Sequence, residues 1–323
     1  MKHKIVFLFS LAVLLALGGL MTGDRLFAGG ESGYRFEESW GTRGIGPGEF
    51  REPIGIAITE NQVFVSDAGN NRIQEFDRNG RFIKQFGNDH APRGNLSRPM
   101  HLDISDGKLY VADYLNDRIA MFSLTGKFLG EIGASGTGAG QFDAPAGVAV
   151  DDRGRIYVAD FFNQRVQVLG RGGKFIRQFG KTGKKGISAG MFNYPTDVAL
   201  LPGGTLVVAD AYNDRIQVFS PEGRFLRKWG GPFAMNISGS FHGWFKTATA
   251  VTVSPGGDIF VADFYNNRVQ KFTRDGKFLL AFGSKGREPG QFDRPTDIGV
   301  DTAGNVYVMD FGNNRIQKFK PAR

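Results

Sequence analysis

Three polar residues recur at one fixed spacing along this chain and could do acid–base or metal chemistry. Each copy reads Asp-x-x-Asn-x-Arg. The Asp and Arg positions are Asp67 and Arg72, Asp113 and Arg118, Asp160 and Arg165, Asp210 and Arg215, Asp263 and Arg268, and Asp310 and Arg315. Asp and Asn side chains accept hydrogen bonds from nearby backbone amides in turns, and Arg can fork onto a carboxylate. One active site does not need six equivalent sets, so we predict that these residues are structural turn clamps.

A second set of polar residues lies at predicted strand starts. His101, Asp197 and Asp297 occupy one equivalent position in the second, fourth and sixth copies, where the other copies have Gly or Ala. One imidazole and two carboxylates are a sensible ligand set for a divalent metal. The alternative interpretation is plain polarity, in which Asp only caps the strand.

Aromatic residues fill many of the positions between Asp and Asn. The candidates for ligand binding among them are Tyr114, Phe161, Phe162, Tyr212, Phe264 and Tyr265. Either these rings pack over the turns, or they form a rim that stacks on a sugar, a peptide or a planar ligand. One long connector, residues 230–248, adds Phe241, His242 and Trp244, either as a lid on its own repeat or as a binding loop.

The elements that position these residues follow from the period. Successive Asp residues of the motif are 46, 47, 50, 53 and 47 residues apart, as in an array of like units. In the third copy, short strand-like runs separated by turn residues predict strands over 145–150, 155–160, 165–169 and 174–180. Four antiparallel strands per unit are typical of a propeller blade.

Six copies predict an all-β, six-bladed β-propeller. The sixth copy ends after its third strand, whereas an extra strand-like segment lies at residues 34–41, before the first copy. We therefore predict that the N-terminal strand completes the last blade, which closes the ring and removes its open edges.

The repeat unit resembles the NHL repeat. Its pattern is G-x-F-x-x-P-x-G-V-A-V, then G-x-I-Y-V-A-D-x-x-N-x-R-[IV]-Q-x-F, then G-K-F-[IL]-x-x-[FW]-G, over residues 34–320. The resemblance implies a six-bladed NHL propeller. Proteins with such propellers include RNA-binding domains, a peptidyl-hydroxyglycine amidating lyase and exported bacterial proteins. Activity like that lyase's would need a histidine set for zinc, and only His101 lies near such a place.

The sequence favours a non-catalytic binding module. It shows no nucleophile–base–orienter set, so we expect a protein, peptide or glycan ligand on the face that carries the connector loops. A metal-dependent lyase or hydrolase in the channel is the alternative, and RNA binding is less favoured. Apart from a divalent metal, no cofactor is expected. The net charge of +8 is modest, so nucleic acid is not expected as a partner, and the propeller is expected to be monomeric.

The first residues predict export. Lys2 and Lys4 precede an uncharged apolar run over residues 5–21, as in a signal peptide. We assign residues 1–28 to a cleaved signal or a retained anchor, 29–33 to a linker and 34–323 to the propeller. The folded part is then periplasmic or on the cell surface, with the membrane met only through the N-terminal segment. The chain has no cysteine, which excludes disulfides and thiolate chemistry.

Overall fold

The computed structural model describes residues 32–88 and 93–322. Blade 1 comprises Pro53–Ile58, Gln62–Asp67, Arg72–Asp77 and Phe82–Phe86. Blade 2 comprises Pro99–Ser105, Lys108–Asp113, Arg118–Ser123 and Phe128–Ile132. Blade 3 comprises Pro145–Val150, Ile156–Asp160, Arg165–Leu169 and Phe175–Gly180. The predicted strands of the third copy match these bounds within one residue.

The other three blades repeat this pattern. Blade 4 comprises Pro195–Leu201, Thr205–Asp210, Arg215–Phe219 and Phe225–Trp229. Blade 5 comprises Ala248–Val253, Ile259–Asp263, Arg268–Phe272 and Phe278–Phe282. Blade 6 comprises Pro295–Val300, Val306–Asp310, Arg315–Pro321 and, from the other end of the chain, Tyr34–Trp40. Each blade is a four-stranded antiparallel sheet, so the predicted six-bladed propeller is confirmed.

The turns and connectors contain short strands and 3₁₀ turns. Two-residue strands, Thr42–Arg43 and Glu49–Phe50, pair in parallel within the first connector. Single 3₁₀ turns follow most second strands, and one lies in the long connector: Ala68–Asn70, Tyr114–Asn116, Ala211–Asn213, Pro232–Ala234, Phe264–Asn266 and Phe311–Asn313.

The ring closes as predicted. Tyr34–Trp40 pairs antiparallel with Arg315–Pro321, with Tyr34 opposite Pro321 and Trp40 opposite Ile316. Lys318 Nζ, which is nearly buried, lies 2.8 Å from Glu38 Oε1 across this pair. Backbone pairing therefore joins the two ends of the described chain in one sheet and gives the closing blade the same four strands as the other blades.

The core is divided among the six interfaces between neighbouring blades. Among the described residues, one cluster of buried apolar side chains fills each interface. One buried residue from a connector packs into each of these clusters. These residues are Phe50, Leu96, Phe142, Phe192, Phe245 and Phe292. A glycine follows the preceding strand because there is no room for a side chain: a Cβ on Gly283 would lie 2.4 Å from the Phe292 ring, and its φ is +95°.

First strands surround the central channel. Each packs beside the first strand of the next blade, and the first strand of blade 6 packs beside that of blade 1. The turns after the second strands lie against the connectors, since Phe162 N donates to Asp143 O and Tyr212 N to Asn193 O. Turns, connectors and the beginnings of the first strands therefore share one side of the ring, which we call the connector face.

Candidate functional site

The Asp-x-x-Asn-x-Arg residues of blade 4 form a buried hydrogen-bond network. Arg215 Nε donates to Asp210 Oδ2 at 2.7 Å, and both side chains are fully buried. Asp210 Oδ1 accepts from the backbone amide of Asn193 at 2.8 Å, while Arg215 also donates to Met191 O at 2.7 Å. Burial raises the pKa of Asp210, against the opposing charge of Arg215. The network ties the turn to the connector that precedes its own blade.

The same pair recurs in all six blades. The Arg Nε to Asp Oδ2 distance is 2.7 Å in each case, from Asp67–Arg72 to Asp310–Arg315. Each carboxylate also accepts a backbone amide from the connector. Because these groups hydrogen-bond to the backbone and to one another, they form a structural frame for the turns.

Sequence reasoning missed a link between blades. The residue between Asn and Arg has left-handed backbone geometry. Its side-chain oxygen accepts from the backbone amide just before the next blade's first strand, in the pairs Asn71–Arg98, Asp117–Ala144, Gln164–Tyr194, Asp214–Thr247 and Asn267–Arg294. The signal was present, because every copy has Asn, Asp or Gln at this place.

His101, Asp197 and Asp297 meet in the channel although they come from three different blades. His101 Nδ1 lies 3.2 Å from Asp297 Oδ2 and 3.9 Å from Asp197 Oδ2. One ligand atom from each of the three residues lies within 4.8 Å of the other two. All three residues are only 4% exposed. This cluster, hereafter the channel triad, has a ligand set and a spacing that could hold a metal ion.

The carboxylates of the triad are oriented by the neighbouring blades. Asp197 Oδ2 accepts from Val251 N at 3.0 Å, and Asp297 Oδ2 accepts from Ile56 N at 2.9 Å. The intervening blades have small residues opposite the triad. A Cβ on Gly147 would lie 2.6 Å from the Asp197 Cα, so the alternation of polar and small residues seen in the sequence permits the close approach of these strands.

A third channel carboxylate was not anticipated. Asp103 lines the same cavity of about 280 Å³ two residues beyond His101, and its oxygens accept from Ile104 N and Val150 N. Burial raises the pKa of Asp103 to about 7, against these two backbone hydrogen bonds. Burial disfavours the charged imidazolium, but the charges of Asp197 and Asp297 outweigh it and raise the pKa of His101 to about 9.

The structure brings four of the predicted aromatic residues together across blades 2 to 4. Phe161 lies 6.1 Å from Tyr114, 5.0 Å from Phe162 and 6.3 Å from Tyr212, measured between ring centroids. Tyr194, which sequence analysis missed, stacks on Phe161 at 4.8 Å and lies 5.0 Å from Tyr212. We call these five residues the aromatic surface.

Part of the aromatic surface faces solvent. Phe162 is 46% exposed and Tyr212 is 52% exposed, whereas Tyr114, Phe161 and Tyr194 are half-buried. Lys185 Nζ lies 3.9 Å from the centroid of the Tyr194 ring, in a cation–π contact. Some rings therefore pack on the turns and others present their faces to solvent, and ligand stacking by the exposed rings stays a prediction.

The remaining aromatic candidates lie elsewhere. Phe264 contacts Tyr265 at 4.8 Å and Phe311 of the next blade at 6.3 Å, which makes a second, smaller group. In the long connector, Phe241 contacts Trp244 at 5.1 Å. His242 stacks on Phe278, which belongs to the fourth strand of blade 5. The connector side chains thus pack partly on their own blade.

The fold and its ring of like blades define a six-bladed β-propeller, and comparison with known families agrees. A family model described as a 6-bladed beta-propeller matches residues 92–181. The NHL repeat model matches residues 50–76, 192–219, 245–272 and 292–319. The chain therefore contains four matched NHL repeats within a six-bladed β-propeller fold.

Similar proteins differ in what they do. A stretch of 49 residues is 47% identical to Protein brain tumor of Drosophila melanogaster, and this match spans 15% of the chain and 5% of that protein. Virginiamycin B lyase from Staphylococcus aureus aligns with a TM-score of 0.59 at 15% identity, over 89% of this chain and 99% of that one. The WD40 β-propeller domain of Doa1 aligns with a TM-score of 0.60 at 11% identity, over 90% and 97%. These two structures share the fold, which serves both lyases and other propellers.

The predicted signal or anchor, residues 1–28, lies outside the described residues, as does most of the predicted linker 29–33. Within the part of the chain that the structure describes, no helix has the length and apolar character needed to cross a membrane.

Proposed function

We propose that this protein is a binding module that engages a polypeptide partner through the aromatic surface on its connector face. The observation that carries the proposal is the continuity of the five rings across blades 2 to 4, with Phe162 and Tyr212 about half exposed. Contiguous exposed aromatic side chains are uncommon on a surface that has no partner, and they dominate the affinity of protein interfaces.

The aromatic surface has a rigid base. Phe162 and Tyr212 lie on turns whose own backbone amides donate to connector carbonyls. The Asp160–Arg165 and Asp210–Arg215 pairs beneath them are buried. A surface that is already ordered loses less conformational entropy on binding, which favours affinity.

The surroundings of the rings suit a polypeptide. Leu115, which is exposed, adjoins Tyr114, and Lys185 Nζ donates to the Tyr194 hydroxyl at 2.7 Å. Apolar area next to hydroxyl groups and a cation provides both ring faces and hydrogen-bonding groups. That mixture is typical of protein interfaces, in which Tyr is enriched and the edge is polar.

A displayed random-peptide library, selected on the purified chain, tests this function. Peptides enriched on the wild type should bind the Phe162→Ser, Tyr212→Ser double variant at least roughly ten-fold more weakly. They should bind an Ile176→Ser control normally, because Ile176 is similarly exposed but lies on the outer strand of blade 3.

Three results would overturn the proposal. One is the absence of any enriched peptide, and another is an equal loss of binding in the control. The third is a fall in the urea midpoint of the double variant that accounts for its loss of binding, since the rings would then be packing residues. Selective binding of a glycan array would replace the polypeptide with a sugar ligand.

We also propose that the module acts outside the cytoplasm. This proposal is supported by the order of the sequence, in which Lys2 and Lys4 precede the uncharged apolar run 5–21, as in an export signal. Fractionation of the native host should place the chain in the periplasm or on the cell surface. N-terminal sequencing of that material distinguishes cleavage from a retained anchor, and recovery of the intact chain in the cytosol would contradict export.

A further inference from the structure

We propose that the channel triad, His101, Asp197 and Asp297, binds one divalent transition-metal cation. The inference does not depend on the binding function proposed above, because the triad lies inside the ring and the aromatic surface lies on its connector face. Four independent features of the channel support it: the spacing of the ligand atoms, an unpartnered ring nitrogen, the orientation of the carboxylates and the charge of the cavity.

The spacing of the ligand atoms suits a shared ion. In a tetrahedral site with ligand bonds near 2.1 Å, neighbouring ligand atoms lie roughly 3.4 Å apart. His101 Nδ1 and Asp297 Oδ2 are 3.2 Å apart, and His101 Nδ1 and Asp197 Oδ2 are 3.9 Å apart. All three ligand atoms lie within 4.8 Å of one another, so a shared ion would require only a modest closing of the cluster.

His101 presents a buried nitrogen with no hydrogen bond. Its Nδ1 is near both carboxylates, but among the described residues no acceptor or donor meets it with hydrogen-bond geometry. The residue is only 4% exposed. Buried polar atoms without a partner are rare in folded proteins, and a metal ion would supply one here.

The carboxylates are already held as metal ligands usually are. Asp297 accepts Ile56 N on Oδ2 and Ile298 N on Oδ1, and Asp197 accepts Val251 N on Oδ2. Hydrogen bonds from the surrounding protein commonly fix the direction of ligating side chains. Each oxygen accepts one such bond and retains a lone pair for a cation.

The charge of the cavity calls for a cation. Three carboxylates line it, those of Asp103, Asp197 and Asp297, together with the single imidazole of His101. Among the described residues that line this cavity there is no Lys or Arg. A protonated His101 can offset only one of these three carboxylates, and buried carboxylates in excess are costly, so a divalent ion would offset much of the remaining charge.

The ligand types indicate the class of ion. One imidazole nitrogen with two carboxylates suits Zn²⁺ or Mn²⁺ better than Mg²⁺ or Ca²⁺, which prefer oxygen ligands alone. Three protein ligands leave at least one coordination position, which the cavity allows water or an anionic group to fill. Because the ligands come from blades 2, 4 and 6, the ion would also join three alternate blades.

The test uses the purified full chain, stripped with a chelator and titrated with ZnCl₂ or MnCl₂ by calorimetry. We expect one ion per chain. His101→Gln and Asp197→Asn should each weaken binding at least about ten-fold. His242→Gln is the matched control, because His242 is an exposed histidine on the long connector, and it should bind as the wild type does.

Stability of the wild type gives an independent measurement if a variant folds poorly. The ion should raise the melting temperature of the stripped wild type, since it binds only the folded ring. Failure to bind near one equivalent, or binding that survives both His101→Gln and Asp197→Asn, would overturn the site. Loss of binding in His242→Gln with retention in both triad variants would do the same.

Discussion

Asp297 Oδ2 in blade 6 accepts a hydrogen bond of 2.9 Å from the backbone amide of Ile56 in blade 1. Asp197 makes the equivalent link to Val251, and Asp103, two residues further along its strand than that position, makes a similar link to Val150. Every even-numbered blade therefore reaches forward to the first strand of the next blade. The blade interface where the ring closes is tied by a side chain in the channel as well as by the strand pairing at its outer edge.

Replacing Asp297 should loosen that interface. Asp297→Ala leaves the buried amides of Ile56 and Ile298 without acceptors, which should cost about 1–3 kcal/mol of unfolding free energy. Asp297→Asn keeps one carbonyl oxygen and should lose less. Urea denaturation in chelator measures both, with the exposed Asp275→Ala as control. Equal stability of Asp297→Ala and the wild type would show that the links contribute nothing.

The buried clamps should be unequal in their effect on stability. Arg215 is fully buried with Asp210, whereas the Arg118 side chain is 15% exposed. Arg215→Met leaves a buried carboxylate without its partner and should cost about 3–5 kcal/mol. Arg118→Met should cost clearly less, because water can reach Asp113 once the arginine is gone. Thermal and urea unfolding of the two variants check this order, and the reverse order would contradict it.

Ring closure should be sensitive to charge at one position of the N-terminal strand. Glu38→Lys places a cation beside Lys318 Nζ and removes a charged hydrogen bond of 2.8 Å. We expect a loss of roughly 1.5–3 kcal/mol. Ser39→Lys adds the same charge at the next, exposed position of the strand and should change little. If both variants unfold at the same urea concentration, the ion pair does not stabilise closure.

Metal binding in the channel should weaken in acid. A proton and the cation compete for His101 Nδ1. Burial lowers the pKa of His101, but the charges of Asp197 and Asp297 outweigh burial and raise that pKa to about 9. Below that pH the imidazolium must lose its proton on binding, so affinity should fall about ten-fold for each pH unit. Burial also raises the Asp197 pKa, which steepens the fall at lower pH. Calorimetry at several pH values measures the slope, and a flat profile would place the ion away from His101.

The fold could be predicted because each blade repeats the same local pattern. Pro145–Val150 is a short apolar run, and the strands that follow it are β-branched, aromatic or alternating segments between turn residues, so the pattern depends only on near neighbours. The closing strand could be inferred because the last repeat lacked one. The shared position of His101, Asp197 and Asp297 was readable from repeat alignment. Their separation was not, since it depends on the radius of the channel.

What sequence analysis missed lies between blades. Tyr194 precedes the first strand of blade 4, where the other repeats have Glu52, Arg98, Ala144, Thr247 and Arg294. Nothing in the pattern marks it as a partner of Phe161, which is 33 residues earlier. Its left-handed backbone, with φ of +53°, turns the ring onto the neighbouring turn. Asp103 was missed because its carboxylate occupies the channel two residues away from the position that the repeat alignment compares.

Because Tyr34–Trp40 pairs with Arg315–Pro321, the blades form a closed ring, and which blade is counted first depends only on the order of the chain. Tyr34 lies opposite Pro321, so a short peptide linker could join these two points and new ends could be cut in the Asp151–Gly154 hairpin. Such a circular permutant would keep the same six interfaces, the same clamps and the same channel. The position of the chain ends is therefore separable from the architecture that they complete.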